Sequence, residues 1–282
     1  MGKAWIFTYL VSNLLFIYMV WFDYRKKALY ACIGIAFTFI LILALGWSGH
    51  ASSYDRVWGF FNHTAHFTAV SVWGGILLVV SWFSTNYSNW LNFLKWFTPV
   101  VIICFVTTIL SGLFLMTVVV DYKDYMNSWM LPYGQALLMK HLLIIPLIIY
   151  AFINSVFIKR ELKKNAHFNP MSWTKAESLV VFLIFSATAV LGQQEPPHDI
   201  KTTLASSGGS KLFDLFYQGN LTRDSVIVLG LELNGIMLLV IALSFLGLTI
   251  VSYIKRAPNL FSFFMSVLFV VAAYLSVMVS IQ

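Results

Sequence analysis

Charged side chains are scarce in this sequence. Asp, Glu, Lys and Arg make up 10% of its 282 residues, whereas an ordinary soluble domain is about 25% charged. Hydrophobic residues make up 60% of the chain. Because so few charges cannot cover a water-exposed surface, we expect an integral membrane protein whose main solvent is lipid.

Several motifs that would indicate an enzyme or a pump are also missing. The sequence has no G-x-x-x-x-G-K-S/T phosphate loop, no Ser-His-Asp arrangement and no H-E-x-x-H motif, so we expect neither ATP hydrolysis nor enzymatic activity. Its two cysteines, Cys32 and Cys104, lie singly in apolar runs, which excludes a C-x-x-C metal or redox site. The net charge of +7 is not gathered in a basic tract with interleaved aromatics, so no nucleic-acid partner is expected.

Eight apolar runs are each close to the roughly 20 residues that a helix needs to cross a bilayer. We therefore predict an all-α, polytopic bundle of eight transmembrane helices that forms one domain over residues 1–282. The first run is too long for the apolar part of a signal peptide, so we expect it to be retained. The predicted spans are residues 4–21, 28–48, 64–83, 97–120, 136–158, 178–193, 232–253 and 259–281.

The Lys and Arg residues of the connecting loops favour one orientation. Of the 18 in the sequence, eleven fall on one side of the predicted spans and the remaining seven on the other. Loops rich in Lys and Arg stay in the cytoplasm, so we expect both termini outside, in a multi-pass protein of a bacterial cytoplasmic membrane. The eleven are Arg25, Lys26, Lys27, Lys95, Lys159, Arg160, Lys163, Lys164, Lys175, Lys255 and Arg256.

With this orientation, most histidines gather on the outer side. His50 ends the second span, His63 and His66 begin the third, His141 begins the fifth, and His198 lies in an outer loop. Amphipathic side chains collect at membrane interfaces anyway, which would explain one or two of these histidines but not nearly all of them. Ionisable groups inside a membrane are functional candidates by default, so we predict a metal or cofactor site here.

Other candidate ligands lie at the same outer level. Met116 is close to the outer end of the fourth span, and Glu232 begins the seventh. Imidazole suits copper, zinc, iron and nickel, whereas a thioether selects Cu(I), so the combination favours copper. Glu232 could be a ligand, a counter-charge or simply the last residue outside the lipid. We expect no acidic residue deep in the membrane, which weakens a proton-coupled mechanism.

The longest connection, residues 194–223, is predicted to lie outside the membrane. It contains His198 and the Ser-Ser-Gly-Gly-Ser run of residues 206–210. Such a run is typical of a flexible linker. Long loops are often functional, so we predict that His198 and this run form a mobile lid over the histidine cluster.

An ordered set of short motifs resembles a known family. The motifs are Ser48-Gly49-His50-Ala51, His66 through Trp73-Gly74-Gly75, Ser111-Gly112, Tyr133-Gly134 with Leu137-Leu138 and Lys140, Asn154, Glu177, and Glu195-Pro196-Pro197-His198. In order and spacing they are similar to the copper resistance D (CopD) membrane domain, over roughly residues 28–198, with two further helices in residues 224–282. The resemblance implies an inner-membrane protein that carries copper towards the cytoplasm and receives it from a separate extracytoplasmic donor protein. His50 and His66 match the family pattern best.

The preferred function is therefore copper binding at the outer face by His50, His63, His66 and His141, followed by import. Two alternatives remain open. A b-type cytochrome would use paired histidines on facing helices to hold haem. An accessory protein would hand copper to a membrane oxidase without transporting it.

Overall fold

The regular structure of the chain is helical throughout the residues described. The computed structural model describes residues 2–22, 27–49, 52–53, 55–165, 167–197, 199–217, 219, 221–230 and 232–282, with the backbone alone described for residues 2–5. The helices of the first half are α1 (Gly2–Trp21), α2 (Ala28–Ser48), α3 (Trp58–Phe83) and α4 (Trp90–Val119). Those of the second half are α5 (Pro132–Phe152), α6 (Ile158–Lys164), α7 (Met171–Gly192), α8 (Ile200–Ser207), α9 (Lys211–Asp214), α10 (Leu233–Ile254) and α11 (Asn259–Val279).

Seven helical segments of the described chain are long and apolar enough to cross a membrane. They are α2, α3, α4, the continuous segment Pro132–Lys164, α7, α10 and α11. The prediction of an all-helical, multi-pass membrane protein is confirmed. The helix α1 is 20 residues long, and its apolar part with described side chains is Ile6–Trp21, so the count of eight spans and the outer position of both termini stay predictions.

The apolar side chains of these helices face outwards to an unusual degree. The most apolar 18 residues of α2 have a mean hydropathy of 2.6, yet only 11% of these residues are buried inside the protein. A soluble protein would bury such a surface, because exposing it to water costs free energy in proportion to its area. An outward-facing apolar surface of this kind is suited to lipid.

The helices α3 and α7 are among those that begin earlier than hydropathy predicts, and polar side chains explain both of these starts. The Asp55 carboxylate accepts hydrogen bonds from the backbone N–H groups of Val57 at 3.1 Å and Trp58 at 3.0 Å, which satisfies donors that the first turn of α3 leaves open. The Asn169 side chain accepts from Met171 N–H at 3.0 Å at the start of α7. His63 and His66, which were predicted at the start of a span, therefore lie inside a helix.

The chain divides into two compact units. The first consists of Met1–Gly75 and Pro99–Val119, and the second of Ile76–Thr98 and Val120–Gln282. In the first unit α1 packs along α2. In the second unit the closest pairings are α10 with α11 and α5 with α7. The prediction of one domain over residues 1–282 stays a prediction.

A buried cluster closes one end of the second unit. Its apolar part includes Met130, Leu204 and Phe213, each buried. A polar bond runs through it, because the buried Gln135 receives a hydrogen bond from the Tyr274 hydroxyl at 2.5 Å. This end of the unit is therefore held by packing and by internal hydrogen bonds together.

The segment after α7 is folded, so the prediction of a flexible linker over residues 206–210 is wrong. Residues up to Ser207 complete α8, and Gly208 ends that helix with a positive φ of 74°, a conformation that glycine adopts without strain. Ser210 is buried and its N–H donates to the Met130 carbonyl at 2.7 Å. Residues 206–210 therefore do not form the mobile part of the predicted lid. His198, the other part of that prediction, lies outside the described residues.

The carboxylate of Asp199 caps α8, and its removal should loosen that helix. It accepts from the backbone N–H of Lys201 at 3.1 Å and from the Thr202 hydroxyl at 2.5 Å. In Asp199→Ala, the amide hydrogens of residues 200–207 should exchange with solvent faster than in the wild type. Hydrogen exchange of the purified protein, followed by mass spectrometry, measures this.

Asp121→Ala is the control, because the Asp121 carboxylate pairs with the exposed Lys123 at 3.3 Å and caps nothing in α8. The Thr202 hydrogen bond holds the pKa of Asp199 below its ordinary value of 3.8. The cap is therefore present at neutral pH and is lost as the pH falls through that lowered value. Equal exchange in variant and wild type would show that the packing of Leu204 alone holds α8.

Candidate functional site

The helix α3 carries two of the predicted metal ligands well inside its length. His63 lies five residues after the first residue of α3, Trp58, and His66 lies three residues further. Residues three apart share one face of a helix, so both imidazoles lie on one side of α3. Each is partly buried. The sequence predicted this pair at the start of a span, but the structure places it inside the helix.

The orientation of His66 is fixed by a hydrogen bond to α4. His66 Nδ1 lies 3.0 Å from the Ser111 hydroxyl oxygen, and that hydroxyl donates its own proton to the Thr107 carbonyl at 2.5 Å. While the Ser111 hydroxyl donates to Thr107, its oxygen can only accept from His66, so this hydrogen-bond network assigns the hydrogen to Nδ1. The lone pair of the neutral ring then lies on Nε2, which is the form in which histidine binds a metal.

Gly112 lies beside this ring on α4. A Cβ added at Gly112 would lie 3.4 Å from His66 Cε1, which is a van der Waals contact. Both residues of the Ser111-Gly112 motif therefore lie against the imidazole. Met116 follows Gly112 by four residues, which places it on the same face of α4, one turn nearer to the end of that helix.

The ring of His63 lies against the end of α2. A Cβ at Gly49 would overlap the His63 imidazole, and a Cβ at Gly46 would overlap the Thr64 hydroxyl. Both glycines are therefore needed for the close approach of α2 and α3. The residue after Gly49 is His50, which lies outside the described residues, so its place as a ligand stays a prediction.

Trp73, seven residues after His66 on α3, belongs to the packed interior of the first unit. It is buried, and its ring meets Phe105 edge to face, with centroids 6.0 Å apart and an interplanar angle of 89°. Edge-to-face geometry is the favourable arrangement for two aromatic rings. Trp73 thus fixes α3 against α4 below the histidines.

His141 belongs to the second unit and has a partner there. Its Nδ1 lies 2.6 Å from the Tyr125 hydroxyl. The Tyr125 ring in turn packs edge to face on the Trp129 ring, with centroids 5.5 Å apart. Burial raises the pKa of the Tyr125 phenol, so the phenol keeps its proton at neutral pH. The hydroxyl can either donate to Nδ1 or accept from it, and only in the second case does Nε2 carry the lone pair.

Glu232, another predicted ligand, belongs to the second unit. Glu232 is exposed at the start of α10, and its carboxylate accepts from the Gln282 amide at 3.5 Å. Among the described residues, no three His, Cys, Asp or Glu side chains form a metal-binding group, and His50 and His198 are not among those residues. The cluster of four histidines therefore stays a prediction, as do Met116, Glu232 and His198.

Sequence reasoning missed two polar partners. From the sequence, Ser111 stood out only as part of the Ser111-Gly112 motif, although a serine within an apolar run can also bond a histidine of a neighbouring helix. The prediction that no acidic residue lies deep in the membrane stays a prediction, but sequence reasoning did not expect the buried Glu177 inside α7, which begins at Met171. The carboxylate of Glu177 accepts from the Asn154 amide at 2.6 Å.

Comparison with known proteins finds a family match over the central region. The family model of copper resistance protein D matches residues 91–191, which contain Ser111, His141, Asn154 and Glu177. The resemblance to the CopD family is confirmed. No curated protein and no solved structure matches the chain significantly. The CopD family is one of copper resistance, and the protein is a multi-pass protein of the cell membrane.

The approach of His63 to α2 gives a direct test of the site geometry. Gly49→Ala should force the His63 ring or the end of α2 to move and should lower the stability of the protein, because overpacking costs about 1–3 kcal/mol. The midpoint of thermal unfolding in detergent measures the loss.

Gly75→Ala is the matched control, because a Cβ there meets nothing within 4 Å. In a helix, alanine is favoured over glycine by about 0.5–1 kcal/mol, so this variant should be as stable as the wild type or slightly more so. Equal unfolding midpoints for the two variants would contradict the close contact between Gly49 and His63.

Proposed function

We propose that the protein binds copper through the imidazoles of α3 and carries it across the cell membrane towards the cytoplasm. The observation that carries this proposal is the hydrogen bond from His66 Nδ1 to Ser111. A ring held in this way presents Nε2 to a metal without having to reorient, and such second partners are typical of metal-binding histidines. The match to copper resistance protein D supports copper as the metal.

The ligands that we assign to copper in the first unit are His66, His63, His50 and Met116. Three imidazoles and a thioether form a ligand set suited to copper, and the thioether favours Cu(I). His141 is assigned as a further copper-binding group within the second unit. Copper is the cargo in this proposal, so each site must bind it strongly enough to admit it and weakly enough to release it.

The direction of transport rests on the orientation predicted from loop charges. In that orientation His63 and His66 lie towards the outside, so copper would enter from there. A separate extracytoplasmic donor protein would deliver it, and the lipid bilayer is the other partner.

Replacing His66 should remove copper from the protein. We expect His66→Ala to lose at least one stoichiometric copper ion, while the helices remain folded because packing holds membrane helices together. Elemental analysis of the purified protein gives the copper content, and circular dichroism gives the helical content. His167→Ala is the control, since His167 is exposed in the loop before α7. Full copper occupancy in His66→Ala would refute the assignment.

Replacing the partner of His66 should weaken copper binding without abolishing it. Loss of such a second partner typically lowers metal affinity by about 10–100-fold, so Ser111→Ala should show this loss in a competition titration with a copper chelator. Ser186→Ala is the matched control, because its hydroxyl bonds the Phe182 carbonyl of its own helix at 3.0 Å. Binding in the wild type should also weaken as the pH falls through about 6.5, since imidazolium cannot bind a metal.

The two alternatives predict other outcomes of the same preparations. A b-type cytochrome would give visible haem absorption that His66→Ala abolishes. An accessory protein would bind copper, but its expression would not raise copper accumulation in cells. Transport requires both stoichiometric copper and accumulation that depends on His66.

The predicted orientation can be tested by labelling intact cells. In a chain with Cys32 and Cys104 replaced by alanine, a cysteine introduced at His167 should resist a membrane-impermeant maleimide because it faces the cytoplasm. A cysteine introduced at Lys123 should react. Labelling of the first position but not the second would reverse the orientation and the direction of transport.

A further inference from the structure

A carboxyl and an amide form a buried pair between α5 and α7. Glu177 is 3% exposed and Asn154 is 5% exposed. The amide Nδ2 donates to Glu177 Oε2 at 2.6 Å and also lies 3.3 Å from the Trp173 carbonyl. Both residues lie in segments long and apolar enough to cross the membrane. An acidic side chain in such a position is costly and is usually there for a function.

Among the described residues, no basic side chain forms an ion pair within 4 Å of this carboxylate. The Lys175 ammonium lies over the Trp82 ring at 5.2 Å. Arg256 pairs with Glu161 at 3.0 Å. Two tyrosines of neighbouring elements also have partners of their own: the Tyr150 hydroxyl bonds Ser262 at 2.9 Å, and the Tyr253 ring meets Trp173. The charge of an ionised Glu177 would therefore be balanced by no cation of the described chain.

The amide of Asn154 leaves one atom without a partner. Its Oδ1 is fully buried and accepts no hydrogen bond in the described structure. Such an atom normally costs stability, so it calls for an explanation. If the carboxyl carries a proton, a half-turn of the amide allows the carboxyl O–H to donate to Oδ1, and which end of an amide faces its partner is assigned from such bonding. The pair can therefore be hydrogen-bonded both with and without a proton on Glu177.

The backbone around Asn154 is also irregular. Residues Ile153–Phe157 form a single π-helical turn between α5 and α6. Such turns insert one extra residue into a helix and occur frequently at functional sites. Here the turn carries Asn154 at the point where it meets Glu177. Tyr150 lies four residues before Asn154, and its hydroxyl bonds the Ser262 hydroxyl. Buried polar groups are therefore present on both of these turns.

We infer that Glu177 and Asn154 form a proton-binding site within the membrane. The geometry that supports this is a buried carboxyl without a cationic partner, bonded to an amide whose other end is unused. The carboxyl takes up a proton at one oxygen and releases it again, and no other bond is made or broken. In the predicted orientation the start of α7 faces the cytoplasm, so the proton would exchange with that side. The inference concerns Glu177 itself and holds whether or not the chain transports copper.

Infrared difference spectroscopy of the purified full chain tests the site. As the pH is lowered, the wild type should gain the carbonyl stretching band of a protonated, buried carboxyl, and the band should shift in D₂O. Glu177→Gln should lose this band. Glu161→Gln, which removes the carboxyl of the Arg256 pair, is the matched control and should keep it. An unchanged band in Glu177→Gln would overturn the inference.

A second variant keeps the test valid if Glu177→Gln does not fold. Asn154→Ala leaves the carboxyl in place but removes its hydrogen-bond partner, so the band should shift in frequency compared with the wild type. An unshifted band would overturn the inference. Sodium is the competing ligand, because carboxylate and amide oxygens also bind hard cations. Loss of the band on adding NaCl at constant pH, with no such loss on adding choline chloride, would assign the site to sodium and not to a proton.

Discussion

The bilayer interior offers no hydrogen-bond partner, so a polar side chain on a membrane helix has to find one within the protein. This constraint accounts for the polar bonds of the structure. His66 bonds Ser111 on the neighbouring helix, and Asn154 bonds Glu177. Hydroxyls on the outer surface, such as that of Ser186, bond a carbonyl of their own helix. At these two places, side-chain hydrogen bonds as well as packing hold neighbouring helical segments together.

Small residues accompany these polar contacts. Gly112 lies in van der Waals reach of the His66 ring, and Gly49 leaves the space that the His63 ring fills. In lipid there is little hydrophobic drive between helices, so close contact between backbones and side chains supplies much of the association. The His63 side chain and the glycine whose place it fills therefore depend on each other. The proposed copper binding by α3 requires imidazoles that are held in place without the metal, and this packing meets that requirement.

The prediction of spans succeeded where hydropathy is the deciding property and failed where polar groups extend a helix. Residues 28–48 were predicted as a span and form α2 with the same ends. The start of α3 was placed six residues too late, because hydropathy does not register the cap that Asp55 provides. The glycine and serine run after α7 was predicted as a linker from composition, but Ser210 is anchored by a backbone hydrogen bond to Met130.

The sequence by itself determined that the chain is a helical membrane protein, that His63 and His66 share one face of a helix, and that its motifs resemble those of CopD. Length, hydropathy and the helical period suffice for these conclusions. Only the tertiary structure decided that Ser111 is the partner of His66 and that Asn154 is the partner of Glu177. These partners are 45 and 23 residues apart in the chain, and their meeting depends on the rotation and depth of each helix. Rotation and depth are set by packing between helices, which the period of a single helix does not specify.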